Sequence, residues 1–202
     1  MFGHLYIVSA PSGAGKTTLV RLLVEKDAAI RVSTSTTTRK PRPGELDGRE
    51  YHFSDVKRFL EMADRAEFIE WAEVHGNYYG TSQRWIEKEI TAGHDVLLEI
   101  DWQGAQQVRQ TFPEAISVFI MPPSLEALSD RLSGRGTDST ETIARRIAAA
   151  REEMRHVVEF DYVIINDDLA QALGNLQSIV SASRLRYPVQ RQRHAALFAS
   201  LL

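Results

Sequence analysis

The chain has 202 residues, no cysteine and a formal net charge of -3, with 43% hydrophobic and 25% charged residues. This composition is typical of a globular protein, and the lack of cysteine excludes disulfide bonds, thiolate nucleophiles and cysteine-based zinc sites. The small negative charge gives no general attraction to nucleic acid or anionic lipid. Anions must therefore be bound by locally placed arginine and lysine side chains.

No apolar run is long enough to span a bilayer. The first apolar stretch, residues 5–8, is interrupted by Pro11 and Gly13 too soon to be a signal peptide. We therefore expect a cytoplasmic protein with no membrane or nucleic-acid partner. The oligomeric state stays open, because the tail at residues 188–202 is compatible with either a frayed end or a subunit contact.

Short apolar runs recur along the chain and are typical of buried parallel strands. They lie at residues 5–8, 95–100, 116–121 and 162–165. Each precedes an amphipathic helical pattern, at residues 17–26, 102–110, 124–133 and from residue 169 onward. This alternation predicts an α/β fold with a parallel sheet flanked by helices on both faces.

Two segments interrupt this alternation. In residues 33–94, short aromatic segments at 50–53, 67–71 and 77–81 predict antiparallel strands, and residues 55–66 predict a helix. We interpret residues 33–94 as an inserted, mostly β lobe. A polar, Gly-containing segment at residues 133–141 predicts a short lid before a helix at 142–158. The core then comprises residues 1–32, 95–132 and 142–187.

The most specific motif is the sequence APSGAGKT at residues 10–17, a Walker A loop with Ala10 in place of the usual first glycine. In such loops the backbone N–H groups converge on phosphate oxygens, a lysine reaches the β- and γ-phosphates, and a hydroxyl ligates Mg²⁺. The alternative is a chance Gly-rich turn, but the motif follows a predicted strand and opens a predicted helix. We expect the nucleoside triphosphate to contact Ala10, Pro11, Ser12, Gly13, Ala14, Gly15, Lys16, Thr17 and Thr18.

Arginines in the inserted lobe predict a second phosphate site. Arg39 and Arg42 flank Pro41, and their planar guanidinium groups suit bidentate pairing with phosphate. Taken alone, two solvated surface arginines are the more ordinary interpretation. By the same logic, Glu70 in isolation is a residue on the solvated face of a ribbon. Asp101 follows a buried strand at the edge where open α/β sheets bind ligands, and the alternative, which is compatible with this, is an N-cap for the helix beginning at Trp102.

Eight stretches, in order and covering the chain to about residue 187, together resemble guanylate kinase. They are SAPSGAGKTT (9–18), STTTRKPRPG (35–44), GREYHF (48–53), EFIEW (67–71), GNYYGT (76–81), EIDWQG (99–104), RLSGRG (131–136) and VIINDDL (163–169). The resemblance implies a P-loop NTPase core and Mg²⁺-assisted transfer of the γ-phosphoryl group of ATP to GMP, in purine nucleotide metabolism.

The resemblance also implies roles for single residues. The positions implied to contact guanine are Ser35, Glu70, Thr81 and Glu99. Those implied to bind the GMP phosphate are Arg39, Arg42, Tyr51 and Tyr79. Asp101 is implied to lie near Mg²⁺ and the phosphates, and Asn166 beside adenine. The transferring phosphoryl group is implied to be neutralised by Lys16, Arg39, Arg135 and Arg146.

Two positions depart from the family pattern. Thr81 stands where serine is common, and Glu99 stands where aspartate also occurs. Glu70 agrees with the physical chemistry of guanine, because a carboxylate accepts hydrogen bonds from the N1–H and N2–H₂ groups whereas adenine has no donor at N1.

Two other functions remain compatible with a fold of this kind. One is a kinase acting on a different phosphorylated acceptor such as a ribose bisphosphate, and Glu70 with Ser35 argues against it. The other is a non-catalytic module that binds a phosphopeptide, and the complete loop with Lys16 and Thr17 argues against it.

Overall fold

The structure is a computed structural model that describes residues 3–74, 76–133 and 140–202. The strands in these ranges are β1 (Leu5–Ser9), β2 (Ile30–Val32), β3 (Thr36–Thr37), β4 (His52–Phe53), β5 (Phe68–Val74), β6 (Asn77–Ser82), β7 (Asp95–Glu99), β8 (Ile116–Met121) and β9 (Tyr162–Ile165). The helices are α1 (Lys16–Lys26), α2 (Val56–Asp64), α3 (Gln83–Thr91), α4 (Trp102–Thr111), α5 (Leu125–Ser133), α6 (Thr140–Arg155), α7 (Leu169–Arg184), α8 (Tyr187–Arg193) and α9 (Ala195–Leu201). A 3₁₀-helix, His156–Glu159, follows α6.

Five of the described strands form a parallel sheet in the order β2-β7-β1-β8-β9. Central strand β1 is buried at every position because its apolar residues meet helices on both faces. One face packs against α1 and α7, and the other against α3 and α4. The predicted α/β class with a helix-flanked parallel sheet is confirmed.

The sheet places ligand-binding loops at one edge. The carboxyl ends of parallel strands meet at the same edge of a sheet, where open α/β proteins bind their ligands. The loop after β1, the residues after β7 and Asn166 after β9 all lie there.

The other four strands, all from residues 36–82, form a small sheet in the order β4-β3-β6-β5. The antiparallel strands predicted at residues 67–71 and 77–81 are confirmed as β5 and β6, which pair with each other. The prediction for residues 50–53 was wrong in direction and length, because only His52–Phe53 is strand and it pairs in parallel with β3. The chain leaves β3 and returns through a long loop, so β4 runs in the same direction as β3.

The predicted helices agree with described ones within a few residues. Helix α6 begins at Thr140, two residues before the expected start, and ends at Arg155, three residues before the expected end. The predicted helix at 142–158 is α6 followed by the 3₁₀-helix. Strands β2 and β3 and helices α3, α8 and α9 were not predicted. Within the described residues, no helix combines the length and the apolar character needed to cross a membrane.

Candidate active site

The loop between β1 and α1 has a backbone conformation that requires glycine. Gly13 and Gly15 have φ angles of 91° and 94°, in the left-handed region that residues with a Cβ rarely adopt. A Cβ on Gly15 would lie 2.4 Å from Nδ2 of the buried Asn166. This Nδ2 donates a 2.7 Å hydrogen bond to the carbonyl oxygen of Ala14. The end of β9 therefore braces the loop through Asn166.

Lys16, the first residue of α1, lies half-buried beneath this loop. Its Nζ donates to the carbonyl oxygen of Ile100 over 3.3 Å. Burial lowers the pKa of Lys16, and the carboxylates of Glu99, Asp101 and Glu153 oppose this shift. The loop, Lys16 and these three carboxylates line one cavity of about 390 Å³. The cavity therefore combines a half-buried cation with several oxygen ligands.

These oxygen ligands fit a magnesium ion. The Thr17 hydroxyl donates a hydrogen bond to the Glu99 carboxylate, and Asp101 lines the same cavity. Hydroxyl and carboxylate oxygens suit Mg²⁺, which commonly shares its coordination with substrate phosphates. Among residues 3–74, 76–133 and 140–202, no group of three or more histidine, aspartate or glutamate side chains is placed to hold a metal alone. The arrangement suits a cation bound jointly by protein and nucleotide.

Helix α6 approaches the phosphate loop from the other side. The Arg146 guanidinium donates a 2.7 Å hydrogen bond to the Ser12 hydroxyl. Glu153, two turns along α6, lines the same cavity as Ser12, and burial raises its pKa. Arg135 and most of the predicted lid at 133–141 lie outside the described residues. Of the three arginines expected at the transferring phosphoryl group, Arg146 is the one that contacts the phosphate loop in the described residues.

The expected guanine contacts Glu70, Thr81 and Ser35 lie together in the small sheet. Glu70 is only 7% exposed, and its Oε1 accepts a 2.5 Å hydrogen bond from the Thr81 hydroxyl. The Ser35 hydroxyl lies 3.3 Å from the same Thr81 oxygen. Burial, aided by the nearby Asp101 and opposed by the Thr81 hydrogen bond, raises the pKa of Glu70 to about 7. Glu70 therefore does not lie on a solvated face. Thr81, which stands where serine is common in the family, uses its hydroxyl to donate to Glu70 as a serine hydroxyl could.

The expected phosphate contacts are only partly brought together. The guanidinium of Arg39 lies 5.3 Å from the centre of the Tyr51 ring, and the Tyr51 and Tyr79 rings are 5.9 Å apart. Nη2 of Arg39 donates to both carboxylate oxygens of Glu45, at 2.9 and 3.0 Å. Arg42 is exposed and donates its backbone N–H to the same carboxylate at 2.7 Å. Glu45 thus links Arg39 and Arg42, and the Arg39 hydrogen bonds hold the pKa of Glu45 below its usual range.

The two halves of the site adjoin. A second cavity, of about 440 Å³, is lined by Lys16, Thr17 and Glu99 from the core and by Ser35 and Tyr51, which directly precede β3 and β4 of the small sheet. It shares Lys16, Thr17 and Glu99 with the phosphate-loop cavity. Glu99, an expected guanine contact, accepts a hydrogen bond from the Thr17 hydroxyl of the phosphate loop and lines both cavities.

Asp101 is both a helix N-cap and a residue of the phosphate-loop cavity, the two interpretations considered from the sequence. Its Oδ1 accepts a 2.8 Å hydrogen bond from the Gly104 backbone N–H, so it is the N-cap of α4. Its exposed carboxylate also lines the phosphate-loop cavity.

Sequence reasoning missed Glu45, Glu153 and Gly104. Glu153 follows Arg146 by seven residues on a predicted helix, and this spacing places both side chains on one face. Glu45 follows Arg42 in an irregular loop, where spacing carries no such information. Gly104 matters through a close approach, since a Cβ there would lie 3.0 Å from Oε2 of Glu70.

Comparison with known proteins identifies the family. The family model described as guanylate kinase matches residues 3–183. The chain belongs to the guanylate kinase family. A curated guanylate kinase from Dechloromonas aromatica is 63% identical to this chain, over 100% of both chains. Another, from Aromatoleum aromaticum, is also 63% identical, over 98% of this chain and 97% of the relative.

The fold agrees with that of a solved guanylate kinase. The crystal structure of guanylate kinase from Anaplasma phagocytophilum matches with a TM-score of 0.75 and 34% identity, covering 92% of this chain and 88% of the other. The P-loop NTPase core expected from the sequence is therefore confirmed by both topology and structural similarity.

Proposed function

We propose that this guanylate kinase family member transfers the γ-phosphoryl group of ATP to GMP, giving ADP and GDP. The observation that carries the proposal is the buried carboxylate of Glu70, hydrogen-bonded by Thr81 and linked through the Ser35 hydroxyl to a cavity that reaches Lys16 and Thr17. Relatives named guanylate kinase at 63% identity over the full chain support it.

The phosphate loop is proposed to bind the ATP phosphates. Its backbone N–H groups and the N-terminus of α1 favour anions, and Lys16 is placed to reach the β- and γ-phosphates. The Thr17 hydroxyl, with Asp101 nearby, would hold Mg²⁺. When bound, the ion neutralises phosphate charge as the phosphoryl group moves. Asn166 is proposed to lie beside adenine, in addition to bracing the loop through Ala14.

The small sheet is proposed to bind GMP. Ionised Glu70 accepts hydrogen bonds from guanine N1–H and N2–H₂, and Ser35 and Thr81 complete the polar wall of the base pocket. Glu99 and Asp101 are proposed to lie along the path from the base to the phosphates. The proposed contacts of the GMP phosphate are Arg39, Arg42, Tyr51 and Tyr79.

Catalysis is proposed to consist of positioning and charge neutralisation, without a covalent intermediate. Lys16, Arg39, Arg146 and Arg135 supply positive charge around the transferring group. The segment 33–94 would act as the acceptor lobe and 133–141 as a lid, so that closure excludes water and GMP is phosphorylated in preference to it. A cytoplasmic location stays a prediction.

The test is to measure ADP release and to identify the product with ATP and each of GMP, AMP, CMP, UMP and ribose 1,5-bisphosphate. The proposal predicts ADP release with GMP far above the others, with GDP as product. Preference for the ribose bisphosphate would favour the sugar-phosphate kinase. Binding of GMP without ADP release would favour the non-catalytic module.

A further inference from the structure

The side-chain amide of Gln107 pairs with the backbone of Trp71 as a neighbouring strand would. The Trp71 N–H donates to Oε1 of Gln107 at 3.0 Å, and Nε2 of Gln107 donates to the Trp71 carbonyl oxygen at 3.1 Å. A primary amide has one acceptor and a donor group side by side, so it satisfies both backbone groups of a single residue. Gln107 thus fixes the peptide groups on either side of Trp71 from helix α4.

The position of Trp71 makes this contact relevant to base recognition. Among the strands of the described residues, β5 lies at the edge of the small sheet and pairs only with β6, so its outer backbone groups meet no other described strand. The β5–β6 register shifts between Phe68 and Glu70, an irregularity of the kind that re-aims a side chain. Glu70 therefore stands between an irregular pairing on one side and the Gln107 contact on the other.

Helix α4 also contacts the Glu70 side chain one turn before Gln107. Gly104 is buried, and a Cβ there would lie 3.0 Å from Oε2 of Glu70. The helix is itself fixed to the core through buried Ala105 and Val108. Helix α4 thus binds the backbone of Trp71, next to Glu70, through Gln107, and at Gly104 it limits the room available to the Glu70 carboxylate.

We propose that Gln107 is a positioning residue for guanine recognition, which holds the edge strand so that the Glu70 carboxylate faces the guanine N1–H and N2–H₂ groups. This inference rests on the proposed function, because it assigns Gln107 a role through Glu70. Loss of the amide frees the Trp71 peptide groups to turn toward water, and the carboxylate shifts with them.

The experiment compares Gln107→Met with the matched control Gln106→Met. Methionine keeps side-chain length and helix propensity but removes both hydrogen bonds to Trp71. Gln106 is the adjacent, exposed glutamine, and its amide bonds Glu159 instead of the small sheet. Steady-state constants are measured for ATP, GMP and IMP, which lacks the N2 amino group. Thermal unfolding midpoints are recorded alongside.

Gln107→Met is expected to raise KM for GMP about tenfold, equivalent to about 1.4 kcal/mol. The kcat and the KM for ATP should stay within about twofold, because neither Trp71 nor Gln107 lines the phosphate-loop cavity and the removed interaction acts on GMP binding. The preference for GMP over IMP should fall, since a displaced carboxylate loses the N2–H₂ contact first. Gln106→Met should match the wild type in all constants.

Unchanged KM for GMP, or equal losses for GMP and IMP, would overturn the inference. A lower kcat together with raised KM values for both ATP and GMP and a lowered unfolding midpoint would show a purely structural role, and would overturn the inference too. If Gln107→Met does not fold, Gln107→Glu, which keeps the acceptor for the Trp71 N–H, decides by the same comparison. A wild type that does not phosphorylate GMP would instead refute the proposed function.

Discussion

The Thr81 hydroxyl donates a 2.5 Å hydrogen bond to Oε1 of Glu70 within the buried part of the small sheet. A hydroxyl has a single proton, so Thr81 accepts any bond from Ser35, whose oxygen lies 3.3 Å away. The two hydroxyls and the carboxylate then form one chain whose final acceptor is Glu70. This polarity suits a carboxylate that must accept, and not donate, toward guanine.

The pH dependence of GMP binding follows from Glu70. Its pKa is raised to about 7, so the carboxyl is partly protonated at neutral pH, whereas guanine donors require the ionised form. KM for GMP should fall as the pH rises from about 6 to about 8, and GMP binding should release protons. The GMP phosphate titrates near pH 6, so Glu70→Gln is the control that retains only the phosphate contribution. Identical pH profiles for both proteins would contradict the assignment.

The same pKa predicts a stability difference. Burial raises the Glu70 pKa from 4.5 to about 7, so between these values the folded state binds more protons than the unfolded state. The free energy of unfolding should therefore fall as the pH rises through this window, by about 3 kcal/mol in total for this group. Denaturant unfolding at about pH 5 and about pH 8 should show that Glu70→Gln gains stability relative to the wild type at the higher pH. A constant difference at both pH values would show that Glu70 is not buried as described.

Lys16→Ala should abolish most of the turnover while the fold survives. Electrostatic groups at the transferring centre typically contribute about 3 kcal/mol of transition-state stabilisation, so kcat should fall by more than about a hundredfold. Lys26→Ala is the matched control, because Lys26 is the exposed last residue of the same helix. Near wild-type kcat in a folded Lys16→Ala protein would refute the phosphate-loop assignment.

Gly104→Ala should weaken GMP binding without weakening the fold. The new Cβ would lie 3.0 Å from Oε2 of Glu70, so the carboxylate must shift by a few tenths of an ångström. Helix propensity favours alanine by about 1 kcal/mol, which offsets the local crowding. Gly174→Ala in α7 is the control, since its Cβ meets nothing within 4 Å. An unchanged KM for GMP in Gly104→Ala would show that the Glu70 carboxylate has no fixed place against α4.

Much of the fold could be predicted because the strands of the large sheet are continuous apolar runs followed by amphipathic helices. Strands β2 and β3 were missed, since they have three and two residues and carry no measurable alternation. The parallel direction of β4 depends on the path of the long loop before it, which local sequence does not specify.

Site residues could be predicted where a sequence motif determines their geometry. They could not be predicted where packing between distant segments determines it. Lys16 and Thr17 follow from the loop sequence alone, and Glu70 required a resemblance over the whole chain. Glu45, Gly104 and Gln107 act through contacts between segments distant in sequence or through an irregular loop. Propensity and spacing carry no signal for such contacts.

The central claim is that Glu70 selects guanine for phosphoryl transfer. It is tested most directly by kcat/KM for GMP and AMP on the wild type, Glu70→Gln and Arg42→Ala. Glu70→Gln turns an acceptor into a donor opposite guanine donors, at a cost of about 1–3 kcal/mol, so the GMP/AMP ratio should collapse while AMP activity stays level or rises. Arg42→Ala is proposed to touch only the phosphate, so both acceptors should weaken by a similar factor and the ratio should stay nearly intact. Equal losses for GMP and AMP in Glu70→Gln would contradict the account.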